Sequence, residues 1–86
     1  MDKSIIISFG EVLRRLRKER GFTQEDLGLR ANVQRKHISY LELGEKEVSI
    51  TTLYKLAYAL RLSPGRLVTL TDAELKVKQA RPDQHS

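Results

Sequence analysis

The chain has 86 residues, room for one compact domain with a modest core. Its formal charge of +5 and pI of about 9.8 favour polyanionic partners, nucleic acid ahead of an acidic membrane surface. There is no cysteine, which excludes a disulfide framework and Cys-ligated zinc, and the longest apolar run, Ile5-Ile6-Ile7, is too short for a bilayer span or a signal-peptide core, so a soluble cytoplasmic protein is expected.

In chain order, Ser4 to Ser8 is a β-branched run that reads either as a strand-like arm or as an extension of the first helix, and the domain division takes 1–8 as an N-terminal arm. Phe9, Val12, Leu13 and Leu16 then recur at helical spacing, with Arg14, Arg15, Arg17 and Lys18 filling the rest of that helix, and Gly21 marks its end. Thr23 with Asp26 three residues on, and Phe22 opposite Leu27, start a second helix that runs from Gln24 to Ala31. Asn32, tolerant of positive φ, makes a sharp turn, after which a third helix is expected over Gln34 to Leu43. Val33, Ile38 and Leu41 supply its inward side and Gly44 ends it.

Ser49 opens a fourth helix carrying Leu53, Leu56, Ala57 and Leu60, and Ser63-Pro64 opens a fifth carrying Leu67. Thr71 with Glu74 resembles a further capping box, so Asp72 to Gln79 is a candidate short sixth helix with a weak apolar stripe. Ala80 to Ser86 reads as a disordered tail. No run alternates apolar and polar residues for long enough to argue a sheet. The fold class is all-α, with residues 9–70 as the compact domain and 71–86 as a C-terminal extension.

The second and third helices, joined by a short turn, form a helix-turn-helix unit, and Gly28 is the small residue that lets the two cross closely. Residues 9–68 resemble the Cro and lambda-repressor type of helix-turn-helix domain, the xenobiotic-response-element family. The resemblance rests on Leu13 to Gly21, Thr23-Gln24-Glu25-Asp26-Leu27, Ile38 to Gly44 and Ser49 through Leu60.

This resemblance implies a sequence-specific, DNA-binding transcriptional regulator with a five-helix, lambda-repressor-like fold. Gln24 matches a glutamine that binds a backbone phosphate; Gln34, Arg35, Lys36, His37, Ser39 and Tyr40 lie on the recognition helix, and Lys46, Thr51 and Thr52 match places that meet the DNA backbone. Arg35 suits the paired acceptors of guanine, whereas Lys36 fits either guanine or phosphate. Arg17 and Glu42 match a partly buried structural ion pair, which removes Arg17 from the DNA contacts. Gln34 departs from the Ser, Thr or Asp common at its position and is a poorer cap.

Leu67, Val68 and Leu70 are more apolar groups than the end of a small monomer hides, which favours a homodimer interface. Two recognition helices about 34 Å apart would then read a near-palindromic operator. Such a protein acts as a repressor or, bound upstream, recruits RNA polymerase, and it resides on the nucleoid. Without a ligand or protease domain, control by its own concentration is expected, as in the restriction-modification controllers and phage or plasmid repressors it resembles. The single small domain with Arg35 opening the recognition helix favours the controller type.

Other readings remain beside these. Tyr40 either reads a base or packs by the turn, and Tyr54 and Tyr58 belong to the core or a dimer surface. Arg14, Arg15, Lys18 and Arg20 read as a solvated face before a phosphate strip. His37 and His85 without cysteine give no metal set, no cofactor is implied, and no nucleophile has a positioned base, so the chain is not read as an enzyme. The alternatives are an antitoxin whose residues 71–86 fold on a toxin, and a protein adaptor that keeps the fold without reading DNA.

Overall fold

Five helices, with no strand among the described residues 3–80, make up the structure, which is a computed structural model. They are α1 (Lys3–Glu19), α2 (Gln24–Ala31), α3 (Arg35–Glu42), α4 (Ile50–Ala59) and α5 (Pro64–Gln79). α1 packs on α3 and α5, α2 on α3 and α4, and α4 on α5. Val12, Leu13, Leu27, Ile38, Leu41 and Leu56 meet in the centre with no solvent exposure. At roughly 1.5–3 kcal/mol for each large apolar side chain buried, this cluster is the main stabilising term available to the chain.

The junctions follow from local chemistry. Thr23, Ser49 and Ser63 each accept a hydrogen bond from the backbone N–H three residues on, and Thr23 and Asp26 complete a reciprocal capping box. Four helices end alike. After α1, α2, α3 and α4 the sixth residue's N–H reaches back to the first's carbonyl, as in Phe22 to Arg17, Val33 to Gly28, Glu45 to Tyr40 and Leu62 to Ala57. This closure places one residue in the left-handed region: Gly21 (φ 72°), Gly44 (φ 72°) and, at the end of α4, Arg61 (φ 61°). Asn32 (φ 57°) makes the corresponding turn after α2.

Two sequence expectations change at the ends. The segment 4–8 is not a separate arm, since α1 is already helical at Lys3. The physical reason lies at Gly10, where an added Cβ would run into the Leu41 carbonyl oxygen and come within 2.9 Å of that of Glu42. Without a side chain there, α1 lies directly on the end of α3, and Ile7 covers the Gly44 turn. That tertiary contact outweighs the modest helix penalty of three isoleucines.

No sixth helix begins at Asp72, because α5 runs through to Gln79. Thr71 does not cap. Its side chain is buried and its hydroxyl donates to the Leu67 carbonyl at 2.9 Å, within the same helix. The weak apolar stripe beyond it is supplemented by charge. Arg15 reaches Glu74 at 3.1 Å and Lys78 reaches Glu11 at 2.5 Å, tying the second half of α5 to α1. Of the tail expected over 80–86, residues 81–86 lie outside the described residues.

Candidate nucleic-acid interface

The turn between α2 and α3 sets the geometry of the site. Asn32 adopts the left-handed conformation, and a Cβ on Gly28 would lie 2.6 Å from the Val33 carbonyl oxygen, so only glycine lets the chain fold back this closely. Ile38 and Leu41 fix α3 from beneath, both fully buried. Gln34 stands at its N-cap in extended conformation and makes no side-chain cap bond. The His37 N–H donates to the Gln34 carbonyl at 3.0 Å, whereas no side chain caps the Arg35 and Lys36 amides of the first turn, which suits them to an outside acceptor.

A charged clamp holds the other end of α3. The Arg17 guanidinium donates through Nε to Glu42 Oε2 at 2.6 Å and through Nη2 to Oε1 at 3.0 Å, and its Nη1 donates to the Phe22 carbonyl at 2.8 Å. The two side chains are only 10% and 3% exposed, so the pair is screened little. Gln24 joins it, donating from Nε2 to Glu42 Oε1 at 3.1 Å. This bond orients the amide at the start of α2 and leaves its second N–H for another acceptor. One turn on, the Thr23 N–H donates to Asp26 at 2.9 Å and holds that carboxyl below its usual value, so the α2 terminus carries a fixed negative charge on its capping side.

The outward side of α3 is formed by Arg35, Lys36, Ser39 and Tyr40. Arg35 and Lys36 are exposed, while Ser39 and Tyr40 are half-buried. Lys36 Nζ lies 6.0 Å and Lys46 Nζ 5.2 Å from the centre of the Tyr40 ring, so the ring gathers two cations from either side of the helix end. Gln34, His37 and Thr52 border one open hollow between α3 and α4 together with Lys55, which the sequence reading left unassigned. Thr52 accepts a hydrogen bond from Ser49 Oγ at 3.0 Å, leaving its own proton for a further partner, and Thr51 is exposed beside it.

Other residues fall outside this face. Arg15 pairs with Glu74, and Arg20 donates from Nε to the Leu60 carbonyl at 2.5 Å, closing the end of α4. Arg30 stacks over Phe22 with 4.3 Å to the ring centroid. Tyr54 and Tyr58 are exposed on α4 in an edge-to-face pair, not in the core. Leu67, expected at a dimer interface, is instead fully buried in the core, because its side of α5 faces α1 and α4. Leu70 is half-buried against that core, and Val68, 51% exposed, alone of the three presents its side chain to solvent.

Residues 13–67 match the helix-turn-helix family. The chain belongs to it. Among relatives, an uncharacterised helix-turn-helix-type transcriptional regulator of Sinorhizobium fredii is 43% identical over 63 residues, spanning 73% of this chain and 82% of that protein. The clp gene regulator ClgR of Corynebacterium glutamicum superposes with a TM-score of 0.85 at 27% identity, covering 94% of this chain and 86% of that one. The restriction-modification controller protein C.Esp1396I, solved as a tetramer in complex with its natural 35 base-pair operator, superposes with a TM-score of 0.76 at 27% identity over 83% of this chain and 93% of its own. The all-α helix-turn-helix domain is thus a family property as well as an observed one. No helix among the described residues is long and apolar enough to cross a membrane.

Proposed function

We propose that this helix-turn-helix chain regulates transcription by binding a near-palindromic operator as a homodimer, with α3 in the major groove. The observation that carries the reading is the division of α3 by face: Ile38 and Leu41 are fully buried, Glu42 is locked to Arg17, and Arg35 and Lys36 stand free of any acidic partner among the described residues. A helix clamped on one side and cationic on the other is suited to a groove lined by base acceptors.

In this reading Arg35 takes the two acceptors of a guanine, Lys36 a guanine or a phosphate, and Ser39 and Tyr40 the neighbouring base edges. Gln24, already oriented by Glu42, offers its second N–H to a phosphate at the start of α2, where the helix dipole favours the anion. Lys46, Thr51, Thr52 and His37 meet the backbone on the other side. A restriction-modification controller solved on its operator makes the same type of assignment reasonable for this fold.

The dimer interface moves from Leu67 to the surface around Val68. Val68 and the exposed Ile5 rim a hollow of about 270 Å³ floored by Ile6, Phe9, Val48 and Leu53, an apolar surface suited to a second copy. Occupying a promoter would repress it, and binding upstream would recruit RNA polymerase, with the protein resident on the nucleoid and no catalysis of its own. The antitoxin reading needs residues 71–86 as an adaptable arm, whereas α5 carries 71–79 and is ion-paired to α1.

Selection of bound DNA from a random pool tests this. An enriched inverted repeat with half-site centres about 34 Å apart supports the dimeric reader. In the same experiment Arg35→Ala should relax one base position in each half-site, a loss of about 1–3 kcal/mol of discrimination. A pool that enriches a lone half-site refutes the dimer. A pool that enriches nothing, together with an affinity insensitive to salt, favours the adaptor.

A further inference from the structure

Lys55 sits in the second turn of α4, exposed, and α4 has no carboxylate anywhere along it. No acidic side chain is ion-paired with Lys55 among the described residues. It borders the open hollow of about 280 Å³ whose other walls are Asn32, Val33, Gln34, His37 and Thr52. The polar groups of that hollow are two side-chain amides, an imidazole, a hydroxyl whose oxygen already accepts from Ser49, and one ammonium. Such a set donates hydrogen bonds and carries positive charge with no carboxylate to cancel it, which suits an oxyanion and not a cation. A second hollow, lined by Ile50, Thr51, Tyr54 and Tyr58, lies along the opposite side of the same lysine, so its stem is free to swing toward either edge of α4.

The place of this hollow identifies the anion. Two of its walls are Gln34, the N-cap of α3, and His37 in its first turn, one helical face around from Arg35 and Lys36. When α3 lies in a major groove about 12 Å wide, whatever flanks it on the α4 side meets the sugar-phosphate wall of the groove. We infer that Lys55, together with the hydroxyl of Thr52 and the Gln34 amide, seats a DNA backbone phosphodiester in this hollow, extending the backbone contact one turn beyond the start of α4. The inference rests on α3 being the major-groove reader. Lys55 adds affinity and register here, not base choice, because a phosphate looks the same in every sequence.

The experiment measures binding of the selected operator by fluorescence anisotropy across a salt series, for the full chain and for Lys55→Gln. Thermal melts should coincide, since the Lys55 side chain is exposed and supports no packing. In the dimer the substitution removes two phosphate contacts, one per protomer, so the slope of log affinity against log salt should fall by about 1.8 and binding should weaken about thirtyfold at 0.15 M salt, with the enriched sequence unchanged. Lys55→Arg should keep the wild-type slope, and Arg66→Gln, an exposed cation on α5, should leave it unaltered. A Lys55→Gln slope equal to that of wild type overturns the seat while the reader stands. So does a change of preferred base on Lys55→Gln, which would make Lys55 a base contact. A wild-type chain that selects no DNA sequence overturns the reader and the seat together.

Discussion

The Arg17–Glu42 clamp gives the sharpest test of how this fold is held. Arg17 makes three hydrogen bonds, two to Glu42 and one to the Phe22 carbonyl, with side chains only 10% and 3% exposed. Arg17→Met would leave the Glu42 carboxylate out of water with Gln24 as its one remaining donor, and Glu42→Leu would leave the guanidinium equally stranded. Stranding one member of a buried pair costs about 3–5 kcal/mol. A chain of this size has a total stability of roughly 4–13 kcal/mol, so either single variant should lose a large share of it, from about a quarter to all.

The double variant Arg17→Met with Glu42→Leu separates the pair from its parts. With both charges gone, the remaining defects are the Phe22 carbonyl without its donor, about 1–2 kcal/mol, and the half-buried Gln24 amide, which loses its Glu42 acceptor and must turn to water. Urea unfolding followed by circular dichroism should therefore find the double variant more stable than either single one. The non-additivity should be about 3 kcal/mol or more. Two results would refute the reasoning. One is single variants within about 1 kcal/mol of wild type, the behaviour of an exposed pair. The other is a double variant whose loss equals the sum of the two.

Two further substitutions probe the backbone. Arg61 occupies the left-handed position that Gly21 and Gly44 fill elsewhere, so Arg61→Gly should raise stability by about 1 kcal/mol, or 4–8 °C in Tm, and an unchanged or lower Tm would contradict it. Gly10→Ala drives a Cβ against the carbonyls of Leu41 and Glu42, which cannot swing aside as a side chain could. A loss of about 2 kcal/mol or more in urea unfolding is expected, and a neutral result would show that α1 does not press on α3.

How far the sequence reveals this molecule depends on whether the signal is local. Caps at Thr23, Ser49 and Ser63, stops at Gly21 and Gly44, and the turn at Asn32 involve residues within one turn of each other, so they can be read without knowing the fold. The buried side of α3 is legible for the same reason, since Ile38 and Leu41 share one helical face. α5 is different. Periodicity says that Leu67 and Val68 point in different directions, but which of them is covered depends on where α5 lies against α1. The partners that cover Leu67 lie on α1 and α4, and the pairs Arg15 to Glu74 and Lys78 to Glu11 add to that docking; all of these join residues distant in sequence. The position of Lys55 is illegible for the same reason, because its nearness to Gln34 and His37 exists only after α4 has folded beside α3.

Three residues break a local rule, and the fates of these violations differ. Gly10 weakens a helix interior by roughly 1 kcal/mol, so its presence there already called for a packing reason, which is the close approach of α1 to α3. Gln34 leaves the first turn of α3 without a side-chain cap, and the reason is positional: those amides and the Gln34 side chain lie on the side proposed to meet DNA. Arg61 has neither excuse, since it is exposed and nothing in the structure engages its side chain. A strained residue that serves neither packing nor binding is where stability can be gained without loss of function. Arg61→Gly should thus raise Tm and leave operator affinity within about twofold of wild type at low salt. A Tm gain with a larger drop in affinity would place Arg61 on the DNA as well.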